Sequence, residues 1–319
     1  MLGFVPTEQA VRIACFAGVF LVLVAGEFFA PRRVLHASKP QRWGSNLALV
    51  FLNSLLLRLI APLGAVGIAM FAESVGWGLF QYYDIPSWLA IVVSVILLDF
   101  AIYLQHVMFH AIPVLWRLHM VHHADLDFDV TTGLRFHTLE IMLSFGIKCA
   151  AIVLLGASPL AVLIFELLLN ATAMFNHSNV RIPLWLDRSL RRVIVTPDMH
   201  RVHHSVFRRE ANSNFGFNLP WWDFLLGTYR SQPDSGHEGM TIGLSQFRDE
   251  RVERLPWMLL LPFIGKLGSY PINRESGTAP SHEHESSPGT QADQFGENTL
   301  KDTPTAVRPM DDLADERDQ

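Results

Sequence analysis

DFAIYLQHVMFHAIPVLWRLHMVHH, residues 99–123, closes a long apolar run with His106 and His110 four apart and then adds His119, His122 and His123 within one short connection. The second half of that pattern recurs far down the chain, as His200, His203 and His204 in PDMHRVHHS. Eight histidines in two such clusters are hard to account for without a metal. Residues four apart share a helix face, so His106 and His110 can converge on one ion. Followed backwards, that face carries Tyr103 and Asp99. Ionisable groups inside a span usually face a site, which makes Asp99 a candidate carboxylate to orient a histidine from behind. In each HxxHH the first two histidines, three apart, share a face, while the third points about 100° away. One helix turn can therefore feed two ions, or one ion and the groups behind it.

Outward from this stretch the chain reads as a membrane protein. Half of its 319 residues are apolar, more than a soluble domain needs. The net charge of -5 misleads, because residues 274–319 hold eleven acids and four bases, leaving the rest mildly basic. Cys15 and Cys149 lie in apolar runs and suggest no disulfide framework. The first apolar run, about 10–30, is long enough to span a bilayer, and Arg32, Arg33, Lys39 and Arg42 follow it. No basic segment precedes it, so it reads as a retained anchor rather than a signal peptide. A second run covers about 47–71, a third starts after Pro86 and reaches His110, and 141–173 is broken near Gly156-Ala157-Ser158-Pro159 into two helices.

Basic residues alternate between the connecting loops: 31–46 is basic, 73–87 is not, 111–138 contains Arg117 and Arg135, and 178–255 is rich in arginine. The expected fold is therefore all-α: a membrane bundle of about five spans, the last two a hairpin, with a histidine-rich helical cap on the cytoplasmic side. Segments 1–85 (membrane spans), 86–255 (histidine domain), 256–272 (interfacial) and 273–319 (acidic and disordered) divide the chain. Trp185, Trp221 and Trp222, set among arginines, suggest a cap lying at the interface.

His177, in FNHSNVRIP, stands where the fifth span should leave the membrane, and stepping back along that helix reaches Asn170 and Glu166. It is a candidate ninth ligand. His137, Glu166 and Asp198 are candidates for supporting positions, His36 and His237 stand among polar neighbours and read as surface, and His282 and His284 in the tail have no evident role. Imidazole alone does not choose among zinc, iron, copper and nickel. A structural zinc site closes with four ligands, whereas eight or nine suit two ions with open positions. Two redox-active ions beside a lipid-filled space suggest oxygen activation and attack on a C–H bond.

The stretch 99–123, together with FNHSNVRIP, TPDMHRVHH and SNFGFNLPWWDFLLGTY, resembles the fatty acid hydroxylase/sterol desaturase superfamily of membrane histidine-box enzymes over roughly 97–230. The resemblance implies two iron ions held by His106, His110, His119, His122, His123, His200, His203 and His204, with His177 matching the histidine between the boxes. It also implies O2 as co-substrate, a lipid to hydroxylate or desaturate, and electrons from a separate cytochrome, ferredoxin or reductase, since the chain has no CxxCH, cysteine cluster or GxGxxG of its own. The sequence departs from the family pattern at Val107 and at Thr138. No nucleic-acid partner is expected. Binding or transport of zinc without redox chemistry is the alternative, but its ionisable path should run through several spans. A zinc hydrolase lacks its HExxH.

Overall fold

The computed structural model describes residues 4–83 and 85–273. The acidic tail, with His282 and His284, lies outside them. Among the described residues there is no strand, only isolated bridges. The elements in chain order are α1 (Phe4–Phe29), α2 (Lys39–Ile60), α3 (Gly64–Ser74), α4 (Ser87–Ala111), α5 (Pro113–His123), α6 (Thr138–Leu155), α7 (Pro159–Asn176), α8 (Leu184–Leu190), α9 (Pro197–His203), α10 (Arg208–Ala211), α11 (Trp221–Leu226), α12 (Gly236–Gly239) and α13 (Leu255–Ile264). Five helical stretches are long and apolar enough to cross a membrane, so this is a multi-pass membrane protein.

Prolines cut these helices where the site needs bends. The second span, which reads as one run, breaks after Ile60: Ala61 precedes Pro62 and leaves the helical region at φ −128°, ψ 69°. A residue before proline is sterically disfavoured in the α conformation. Ile112 does the same before Pro113, at φ −99°, ψ 116°, and the proline then opens α5. That bend folds α5 against α4 and brings the second group of histidines back onto the first. At the far end, Gly156 ends α6 at φ 68° and Ser158 caps α7, giving the expected hairpin. Gly78 packs there so closely that a Cβ on it would stand 2.1 Å from the Gly156 nitrogen.

The spans pack as a bundle in which α7 meets α1, α3 and α4, while α6 meets α3 and α4. At the histidine end, α2 is no solvated basic segment. Its residues Arg42, Asn46, Leu49 and Asn53 are buried at helical spacing. Arg42 donates to Asp125 at 2.7 and 3.0 Å and to Asp129 at 2.8 Å, with all three side chains fully buried. Asn53 donates to the Phe136 carbonyl. Arg135 adds Glu253 and the Val121 carbonyl to the same network. Glu27, near the end of α1, accepts from the Val130 and Asn179 amides at 2.7 and 2.8 Å. The loops around the histidines are therefore riveted to the first two spans.

Candidate metal centre

Nine buried histidines converge in two groups whose ring nitrogens lie within 4.8 Å of one another: His106, His110, His119, His123 and His203 in one, His122, His177, His200 and His204 in the other. Both HxxHH boxes divide differently from the helical expectation. The first and third histidines, four apart, stay together and the middle one crosses to the other group, because the α-helix brings i and i+4 closest on one face. His119 and His123 thus join the first group and His122 the second, while His200 and His204 join the second and His203 the first.

The outer ring nitrogens fix the tautomers. His106 Nδ1 donates to the Phe215 carbonyl at 2.8 Å, His203 Nδ1 to that of Ser213 at 2.7 Å, His177 Nδ1 to that of Ala173 at 2.7 Å and His122 Nδ1 to that of Arg135 at 3.2 Å. His119 Nδ1 donates to Glu140 Oε1 at 2.6 Å, and His110 Nδ1 to Asn212 Oδ1 at 3.1 Å. Carbonyl and carboxylate oxygens only accept, so the protons sit on Nδ1 and the lone pairs on Nε2. Yet Nε2 of His106 faces Nε2 of His119 at 3.1 Å, and Nε2 of His122 faces Nε2 of His177 at 3.1 Å. Two facing lone pairs repel unless a cation lies between them. Nitrogens on one ion at about 2.1 Å stand about 3.0 Å apart at 90° and about 3.4 Å at 109°, so the observed spacing fits a shared metal. Nε2 of His203 and both ring nitrogens of His204 are buried without a hydrogen-bond partner, which leaves each ring a nitrogen to offer to its own group.

Burial keeps the imidazoles neutral. It pushes His119 and His177 down to about 3 and His122, His123, His200, His203 and His204 well below the usual histidine range, with neighbouring imidazoles adding to the effect for all but His119. Neutral imidazole is the form that binds metal. Gly133 leaves room for this packing, since a Cβ there would meet the Ala173 carbonyl at 2.3 Å and His177 Nδ1 at 3.2 Å.

Three supporting expectations and one surface expectation are corrected. Asp99 touches no histidine: its carboxylate accepts from the Asn218 and Leu219 amides at 3.2 Å and from Trp222 Nε1 at 2.8 Å. With Asp223, which accepts from the Phe215 and Gly216 amides, it shapes the loop whose carbonyls meet His106 and His203. The carboxylate behind a histidine is Glu140, which sequence reasoning missed. Glu166 pairs with Arg12 and Lys148 inside the bundle instead of extending a stripe from His177. His137 caps α6 through Nδ1 and directs Nε2 to the Leu259 carbonyl, outside both groups. His237 is buried rather than superficial, 3.6 Å from Asp198, which itself binds Arg32 and Arg201. His36 is exposed as expected. Trp116 packs behind His110 and His123 against Tyr270.

Fold and site together define a multi-pass helical membrane protein with a buried polyhistidine centre able to hold metal. Residues 91–228 match the family model for fatty acid hydroxylase, so this part of the chain is similar to that family. It is 33% identical over 149 residues to the ornithine lipid hydroxylase OlsE of Rhizobium tropici, covering 46% of this chain and 44% of that one. It is 27% identical over 189 residues to the alkylglycerol monooxygenase of Homo sapiens (56% and 39%), and 26% over 147 residues to the cholesterol 25-hydroxylase of Rattus norvegicus (46% and 48%). The chain thus spans less than half the length of these relatives. No solved structure matches it.

Proposed function

We propose that the protein is an O2-dependent lipid hydroxylase with two iron ions in the histidine cage. His106, His110, His119, His123 and His203 would hold one ion and His122, His177, His200 and His204 the other. The carrying observation is the pair of 3.1 Å contacts between Nε2 atoms whose protons are committed elsewhere. When bound, a redox-active pair supplies oxygen activation and attack on an unactivated carbon. The chain does the rest. Carbonyls of Phe215, Ser213, Ala173 and Arg135, with Glu140, hold the imidazoles in one tautomer. All nine imidazoles are buried, and among the described residues both nitrogen groups consist of histidine alone.

The membrane spans around the cage support a lipid substrate, and the names of the relatives support hydroxylation over desaturation. Electrons come from a separate donor, and the basic loops favour a cytoplasmic position for the cap. Metal analysis of detergent-purified protein, with oxygen uptake in the presence of a reductant, tests this reading. About two irons per chain, lost in His119→Ala and His203→Ala, and lipids heavier by one oxygen are expected. Zinc in place of iron, with no oxygen uptake after iron reconstitution, would return the protein to the metal-binding class.

A further inference from the structure

A second site lies away from the histidines, between α8 and α11. These short helices form a shelf: Trp221 Nε1 donates to the Arg192 carbonyl at 2.7 Å, and Trp222 is tied to Asp99 of the α4 span. The outer side of the shelf is apolar and exposed, with Trp185 at 70%, Leu225 at 73% and Val193 at 61%. Exposed aromatic and aliphatic side chains of this kind suit contact with a bilayer surface. Between the two helices is a cleft of about 630 Å³, walled by Leu184, Phe224 and Tyr229 and by Arg188, Arg191 and Arg192.

The charge of this cleft is unbalanced. Asp187 is its one acid, and it is buried and engaged by Arg191 at 2.7 Å and by Thr196 at 2.6 Å. Arg188 and Arg192 are exposed and have no acidic partner among the described residues. Two free guanidiniums beside an apolar wall, at a lipid-facing edge, suit a group with an anionic head and a hydrocarbon tail. Guanidinium also matches phosphate oxygens geometrically better than an ammonium does.

We propose that this cleft binds the phosphate of an anionic phospholipid of the bilayer, its phosphate on Arg188 and Arg192 and its chain along Leu184 and Phe224. This site is independent of the metal centre and seats the cap on the membrane surface. Native mass spectrometry of the full chain in detergent, titrated separately with phosphatidylglycerol and phosphatidylcholine, tests it. Preferential retention of one phosphatidylglycerol is expected, weakened at least about tenfold in the double variant Arg188→Gln/Arg192→Gln. A charge-matched control, Arg251→Gln/Arg254→Gln, keeps wild-type binding, and unchanged metal content shows that the test variant is folded. Equal retention of phosphatidylcholine, unchanged binding in the double variant, or an equal loss in the control overturns the proposal. Displacement of the lipid by an equal concentration of inorganic phosphate would reduce the cleft to an ion site and overturn it as well.

Discussion

Glu140 is the single side chain whose removal should separate geometry from ligation. It accepts from His119 at 2.6 Å and fixes the proton on Nδ1. Glu140→Gln keeps the shape but replaces the carboxyl acceptor with an amide one, and groups behind metal ligands typically contribute about 10- to 100-fold to metal affinity. Chelator competition should show a loss of that order with the fold intact; affinity equal to wild type would deny Glu140 its positioning role. The residue was illegible in TLEIML because one acid opening an apolar run looks like any first-turn glutamate. Asp99 misled for the converse reason. Helical spacing gave its face correctly, but its partners lie some 120 residues away in a loop that no local pattern reveals.

At the scale of elements, prolines stand at both bends, yet the second run was read straight through Pro62 and the strap across the bends was not legible at all. Arg42 reads as one more base after a span, yet it is the buried hub that holds Asp125 and Asp129. Attraction to Arg42 and Arg135 keeps the Asp125 carboxyl below its usual range against the opposing effect of burial. Arg42→Ala leaves two carboxylates without their main counter-charge. Breaking such a buried pair costs about 3–5 kcal/mol, so the variant should unfold at clearly lower temperature and lose metal with its fold. A melting temperature within a degree of wild type would mean that water or Arg135 takes over. The histidine boxes were legible because metal ligation constrains spacing; the division of each box was not, since offsets of three and four are both near neighbours on a helix.

For the whole molecule, the cage makes the metal-free protein sensitive to acid. Unfolded imidazoles take up protons near pH 6.5, whereas burial holds His119 and His177 near 3 in the native state. Between those limits the unfolded chain binds more protons, so stability rises with pH and is lost as pH falls below about 6.5. At pH 5 each such histidine costs on the order of 2 kcal/mol. Thermal unfolding of chelated protein should drop steeply from pH 7 to pH 5; a flat profile would mean that the cage opens to water once the metal leaves.

The crossing of the histidine boxes carries a consequence for assembly. α5, and α9 together with the His204 that follows it, each give two imidazoles to one nitrogen group and one to the other, so neither group can form without fixing the helices that build its neighbour. With the proposed two ions, the first to enter would order both helices against their entropy; the second would find them already in place and bind more tightly for that reason. Loading should therefore be steep and paired, with chains that hold one ion scarce at every stage of a titration. Supply of metal to the cell membrane would then set how many molecules are complete, not how complete each molecule is.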